Sequence, residues 1–446
     1  MLRNKVFVWS VVVALAGFLF GFDTAVISGA ERAIQQVWNL SVIEHGFTVS
    51  IALFGTVIGA LVGGIPSDRL GRKPTLIWIA IFYLVSAVGS ALAHDWYLFL
   101  FFRFLGGLGV GASSVAAPMY ISEIAPADSR GRLVALFQFN VVFGILIAFL
   151  SNYLLGGTGP QDWRWMMGVE AFPAVAFLIG MLLVPESPRW LILKKNKTAE
   201  AEAILQVANP RSDVFRIVEE IIRTAKIDRR DAEPFFSKKY STPIMLAMLF
   251  AFFNQLSGIN AIIYYAPRIF EMTGLGPSSA LLSSAGVGLV NFLFTLLALN
   301  FIDRFGRRKL MLIGSFGLIS TLALVSWSFF TENFQGYAVP VYLFIYIAFF
   351  AFSQGAVIWV FISEIFPNQV RASGQALGSF THWLLAAIIA FAFPYVAETL
   401  GGGQTFLIFC IMMVLQLIFV WRLMPETKGT SLEQIGQKVV YHEQEQ

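Results

Sequence analysis

DRLGRK at 68–73 returns as DRFGRRK at 303–309, 235 residues further along the chain. Two more pairs recur at almost the same offset. SEIAPADSRG at 122–131 matches SEIFPNQVRASG at 363–374, and PESPR at 185–189 matches PETKG at 425–429, at separations of 241 and 240 residues. A near-constant offset across three pairs means that the chain is a tandem of two copies of one unit in the same orientation.

Composition says what the unit is made of. Of 446 residues, 57% are hydrophobic and 13% charged, and the mean hydropathy of +0.71 lies far from that of a soluble globular domain. Forty-four Phe and 38 Gly fit a membrane protein, where Gly serves close helix crossings and bulky apolar groups face lipid. One cysteine, Cys410, excludes a disulfide framework and any cysteine-based metal site. Apolar stretches long enough to cross ~30 Å of hydrocarbon fall at 6–30, 47–65, 75–93, 97–118, 132–155, 167–185, 243–267, 279–301, 309–330, 338–362, 373–397 and 403–424. The first is too long for a signal peptide and lacks a small-residue cleavage site, so it is expected to be retained. Six stretches precede the one long polar connection and six follow it. An all-α membrane protein of twelve transmembrane helices, built as two parallel six-helix repeats, is therefore expected. Its parts are an N-terminal bundle (1–185), a linker (186–240), a C-terminal bundle (241–424) and a tail (425–446). AEAEAILQVA and VFRIVEEIIRTA in the linker have the pattern of short amphipathic helices lying against a membrane.

The basic residues fix an orientation. With both termini inside, 27 of the 31 Lys and Arg fall on one face, leaving Arg32, Arg164 and Arg268 opposite and Arg103 within a helix. By the positive-inside rule the termini and linker are expected in the cytoplasm, so the net charge of +4 reflects topology and not a nucleic-acid partner. The lipid bilayer is the expected surrounding. No nucleotide-binding loop, metal cluster or nucleophile–base arrangement is present in the sequence, so an enzyme is not expected and no cofactor or metal is assigned.

Several polar residues lie deep in these apolar stretches. Asp23 and Arg103, counted from the outer ends of helices one and four, both come out ~11 Å in, at one level. An acid and a base at one depth can pair, which spares each the cost of solitary burial. The pair is either a permanent structural contact or a proton switch, because burial raises and a nearby guanidinium lowers a carboxylate's proton affinity, and separation of the two would change the balance. Gln138 in helix five, Asn254, Gln255, Asn260 and Tyr264 in helix seven, Asn291 in helix eight and His382 in helix eleven are the other such groups. They read either as interhelical hydrogen bonds or as the lining of a substrate path. Gln255, Asn260 and Tyr264, spaced by five and four, would share one face of a continuous helix. Amides that both donate and accept, beside aromatic faces, suit a ring of hydroxyls. The remaining histidines, His45, His94 and His442, fall in expected loops or the tail, where solvation is the default.

FLFGFDTAVISG (18–29), DRLGRK, RFLGGLGVG (103–111), PMYISEIAP (118–126) with RGRL, PESPRWL (185–191), NQLSGINAIIYYAP (254–267), DRFGRRK, SEIFP and PETKG occur in this order. Over nearly its whole length the chain thereby resembles the sugar porter family of the major facilitator superfamily, and within it the bacterial proton-coupled sugar symporters more than the human facilitative glucose transporters. The resemblance implies proton-coupled transport of a monosaccharide by alternating access in a bacterial inner membrane, by a monomer. It implies a substrate site of Gln138, Asn254, Gln255, Asn260, Tyr264 and Asn291 with aromatic walls from Phe20, Trp359 and Trp383, and proton coupling through Asp23 and Arg103. It also implies a cytoplasmic gate of Asp68, Arg72, Glu123, Arg130, Glu186 and Arg189 in one half and Asp303, Arg307, Glu364, Arg371 and Glu426 in the other, against the plainer reading that these are topology signals worth ~0–1 kcal/mol per pair. Some positions depart from the family's pattern. Ile145 stands for a Gln, His382 for a Gln or Asn, Ala386 for an Asn and Ala356 for a Pro, so the identity of the sugar does not transfer. His382 reads as a neutral hydroxyl partner or, less simply, as a proton relay. An equilibrative facilitator and a transporter-like receptor are the competing functions.

Overall fold

The computed structural model describes residues 2–126, 129–208, 213–227, 234–334, 336–367 and 370–428. Among these residues, twelve helical spans are long and apolar enough to cross a membrane. The first six run Lys5–Val37, Val42–Arg69, Arg72–Leu92, Trp96–Ile124, Arg130–Leu155 and Asp162–Leu183. The last six run Lys238–Met272, Pro277–Ile302, Arg307–Phe330, Ala338–Ile365, Arg371–Leu400 and Gly402–Arg422. No strand occurs among the described residues.

Number and order agree with the expectation, but several helices run past their apolar windows. The first continues to Val37 and the fourth to Ile124, because a helix goes on while its end groups find partners, whatever the polarity of its last turns. The second begins at Val42, before its apolar stretch, on a capping box: Ser41 N–H and Oγ–H donate to Glu44 Oε2 at 2.9 and 2.7 Å. His45 consequently lies inside a helix and is fully buried, which corrects its expected place in a solvated loop.

Four spans are interrupted. The second is made of Val42–Val62 and Gly64–Arg69. The sixth is made of Asp162–Gly168 and Ala171–Leu183, and Glu170 stands at the join. The tenth breaks at Ser353. The seventh consists of Ser241–Leu256 and Ile259–Met272, with Gly258 between them at φ +87°, a left-handed conformation that costs a residue with a Cβ. A Cβ there would also stand 2.5 Å from the Phe409 ring. The single helical face expected for Gln255, Asn260 and Tyr264 is thus replaced by a joint, with Gln255 on one side and Asn260 on the other. The joint's freed groups are satisfied locally: Ser257 Oγ–H donates to Asn254 O at 2.7 Å, and Ser257 O accepts from Tyr346 Oη–H at 2.8 Å.

The chain divides into two compact units. One comprises Met1–Val26, Ile51–Ala148 and Arg164–Ala232, the other Ile27–Ser50, Phe149–Trp163 and Glu233–Gln446. The second unit is built on Phe250, Phe361, Phe366, Leu310 and their buried neighbours. In the first, the linker helices Thr198–Ala208 and Val214–Ile227 turn Leu205 and Val218 onto Trp190, Leu191 and Ile192. The amphipathic pattern was legible in the sequence, but its apolar face packs on protein where a membrane surface was expected.

Candidate functional site

Asp23, Arg103 and Glu170 meet in the first unit, each at most 2% exposed. The Arg103 guanidinium donates from Nη1 to Asp23 Oδ1 and from Nη2 to the Asp23 main-chain oxygen at 3.2 Å. The contact expected from depth counting is present. Glu170 was not singled out in the sequence, yet it lies close enough to interact electrostatically with both partners. Neither Glu170 oxygen has a hydrogen-bond donor among the described residues, nor does Arg103 Nε–H have an acceptor. Two carboxylates around one guanidinium carry one negative charge more than the site can neutralise. Buried charge of this kind is relieved by taking up a proton.

In the second unit a polar network forms around the joint of the seventh span. Gln255 Nε2–H donates to Asn254 Oδ1 at 2.9 Å and lies 3.1 and 3.2 Å from the two ring nitrogens of His382, while Asn260 Nδ2–H donates to Gln255 Oε1 at 2.6 Å. Asn254, Gln255, Asn260 and His382 are all buried. The imidazole packs between two indoles, with ring centroids 4.9 Å from Trp359 and 4.7 Å from Trp383. Trp359 is the exposed one of the pair. The arrangement offers amides, an imidazole and aromatic faces within reach of one another, the combination that recognises a hydroxylated ring. Tyr264 and Asn291 are buried in the same unit. Gln138 belongs to the first unit, where it is half-buried with no hydrogen-bond partner among the described residues, and Phe20 packs against Phe137 with centroids 6.3 Å apart. Ile145, standing where the family resemblance implied an amide, is buried and apolar.

The duplicated charged motifs build one corner twice. In the first unit, Arg72 donates from Nε and Nη2 to Glu123, both at 3.0 Å, and from Nη1 to Asp68 at 3.0 Å. Glu186 Oε1 accepts the first N–H groups of the third span, from Arg72 at 3.0 Å and Lys73 at 3.1 Å. In the second unit, Arg307 donates to Glu364 at 3.1 and 2.6 Å, and Glu426 accepts from the N–H groups of Arg307 and Arg308 at 2.9 and 3.1 Å. Ser187 and Thr427 repeat each other as well, donating to Glu123 at 2.5 Å and Glu364 at 2.6 Å. A carboxylate against the free N–H groups of a helix start is favoured by the helix dipole. Gly71 at φ +117° and Gly306 at φ +86° turn the corner, and a Cβ at either would stand 2.2 and 2.5 Å from the Glu186 and Glu426 carboxylates. Burial pushes the Glu186 carboxyl above its ordinary range, opposed by the N–H donors of Ser187, Lys73 and Arg72. Arg371 donates to Phe366 O at 3.3 Å. Arg130 and Arg189 form no ion pair among the described residues, and the Asp303 side chain and His442 lie outside them. Every described pair joins helices of one unit.

Comparison with known proteins follows the same outline. Residues 9–439 match the family described as sugar (and other) transporter. The chain is 37% identical to a glucose transport protein of Synechocystis, covering 95% of each chain, and 35% identical to the D-xylose–proton symporter of Escherichia coli, covering 97% of this chain and 96% of that one. The inward-open structure of the E. coli xylose transporter superposes with a TM-score of 0.86 at 34% identity, over 96% of this chain and 99% of that one.

Proposed function

Because the chain belongs to the sugar transporter family and is a multi-pass membrane protein with the major facilitator fold, we propose that it carries a monosaccharide, a pentose or hexose, into a bacterial cell together with a proton. The observation that supports coupling is the buried cluster of Asp23, Arg103 and Glu170, which sets two carboxyl groups around one guanidinium. When Arg103 is fully engaged its guanidinium offsets one of the two carboxylates. When a conformational change loosens it, one of them takes a proton. One proton moving through 100 mV is worth ~2.3 kcal/mol, enough for roughly fiftyfold accumulation of a neutral sugar.

Sugar binding is assigned to Asn254, Gln255, Asn260, Tyr264, Asn291, His382, Trp359 and Trp383, with Phe20 and Gln138. The amides already bond one another, so an arriving sugar exchanges hydrogen bonds instead of having to create them all, which keeps desolvation inexpensive. Gln255 is the hub. Gln255→Ala is expected to raise KM about tenfold or more with a much smaller change in the maximal rate, checked by initial uptake across a concentration series. His382 serves as a hydroxyl partner whose place between two indoles fixes its ring.

The bundles are taken as 1–185 and 241–424, joined by the linker 186–240 and followed by the tail 425–446, with the basic helix ends and both termini in the cytoplasm and the monomer as the working unit. Asp68, Arg72, Glu123, Arg130, Glu186 and Arg189, and Asp303, Arg307, Glu364, Arg371 and Glu426, act as the cytoplasmic gate, each cluster keeping its own bundle's helix ends in register while the bundles move. Adding xylose, glucose, galactose, arabinose and inositol in turn to lightly buffered cells tests the coupling. Alkalinisation of the medium with at least one sugar is expected. Uptake without any pH change would instead mark a facilitator.

A further inference from the structure

A second set of charges lies at the end of the spans opposite the basic corners, and nothing in the transport reading uses it. Glu31 on the first span is 2% exposed, and its two oxygens face different partners: Oε2 lies 2.6 Å from His45 Nε2 on the second span, and Oε1 lies 3.3 Å from Arg268 Nε on the seventh. Arg268 also donates to Gln35 on the first span, and Arg32, next to Glu31, pairs with Glu271 on the seventh. His45 is fully buried and its ring meets that of Tyr265, whose hydroxyl donates to Ala390 O on the eleventh span at 2.9 Å. All these residues belong to the second unit. Beside them a cavity of about 400 Å3 is lined by Arg32, Arg268, Glu271, Phe393, Pro394 and Glu398.

The connectivity of this set differs from that of the basic corners. Each basic corner ties helices of one sequence half, whereas Glu31, Arg32 and Gln35 of the first half hold Arg268 and Glu271 of the second. A mouth on this side cannot open without parting them. Glu31 is the costliest to part, since it is buried and would be left without its cation Arg268, while Arg32 is largely solvated and its pair correspondingly weak. We propose that Glu31, held between His45 and Arg268, is the pivot of an outer latch that keeps the mouth opposite the basic ends closed and sets how readily it opens to sugar from outside. Glu31, His45 and Arg268 are positioning residues, acting through the helix ends they join and not through contact with sugar.

The latch rests on the transport reading, and its test separates the two. Sugar entry is measured from the outer face in right-side-out vesicles and from the inner face in inside-out vesicles. Glu31→Gln is expected to lower the outer KM and raise the inner KM, each about three- to tenfold, because weakening the closed mouth moves population toward the outward-facing form. Arg268→Gln removes the same pair from its part-exposed side and is expected to act in the same direction, so the test survives if Glu31→Gln fails to reach the membrane. His45→Gln puts an amide N–H toward Glu31 and leaves the Glu31–Arg268 pair between the halves in place, so it is expected to stay within about twofold. The two KM values moving together, or neither moving, would overturn the latch while leaving transport standing. A wild-type chain that moves no sugar in either direction would sink both readings.

Discussion

Asp23→Asn abolishes uphill sugar accumulation while sugar-for-sugar exchange continues at close to the parental rate; this is the expected result, and it follows from charge counting in the buried cluster. Asparagine keeps an oxygen where Arg103 Nη1 donates, and the main-chain oxygen of residue 23 still accepts from Nη2, so the first and fourth spans stay joined. What changes is the balance. With Asp23 neutral, a single carboxylate faces Arg103 and the excess negative charge that calls for a proton is gone. The accumulation ratio should fall from roughly fiftyfold at 100 mV to about one, the whole of the proton's contribution. Steady-state uptake of labelled sugar with an imposed pH gradient, beside counterflow in the same vesicles, measures both quantities. Undiminished accumulation by the variant would remove Asp23 from the coupling step. Glu170→Gln would then be expected to show the loss in its place, since it is the other carboxylate facing the guanidinium.

Arg103→Met has a different and larger consequence, for the fold itself. Methionine matches the length of the arginine stem but leaves two buried carboxylates with no cation near them. Removing one partner of a buried ion pair typically costs about 3–5 kcal/mol, roughly a fifth or more of the ~5–15 kcal/mol that holds a domain together. The variant should therefore reach the membrane in much reduced amount and unfold at a lower temperature in detergent. Adding Asp23→Asn and Glu170→Gln to Arg103→Met should recover most of that loss, because an uncharged cluster of similar volume carries no uncompensated ion. Melting of the purified variants checks both steps. Arg103→Met as stable as the parent would mean that water already reaches the cluster and screens it.

Residues within helices were easier to read from the sequence than residues at their ends. The two-copy architecture followed from sequence alone, since a constant offset survives any uncertainty about where a helix stops. The Asp23–Arg103 pair was legible because both residues are charged, both are enclosed by apolar runs, and the 1.5 Å rise turns position into depth. Glu170 escaped for the same reason in reverse. An apolar window opening at residue 167 put it near a surface, whereas the sixth span begins at Asp162 and carries Glu170 several ångström deeper. His45 was misplaced likewise, two residues before an apolar window but already within a helix started by the Ser41 and Glu44 cap. Apolarity marks where lipid is, while capping marks where helices begin, and the two need not coincide. The joint at Gly258 left no hydropathy signal at all. Its sign was the SGIN sequence itself, a glycine beside a serine able to cap the break from within.

The corner at Gly71 and Gly306 has a consequence for how the two halves have aged. Where a residue faces the membrane, any apolar side chain of suitable size will serve. At the corner the room for a Cβ is taken by a carboxylate on the same chain, and the backbone turn excludes most residues independently. Drift is therefore shut off at this point by two unrelated obstacles, and a substitution would have to overcome both together. Such a position works as a clock that has stopped: the same residue stands at both copies of the corner. In other duplicated membrane proteins, positions closed by sterics should outlast those held by hydrophobicity as markers of common origin.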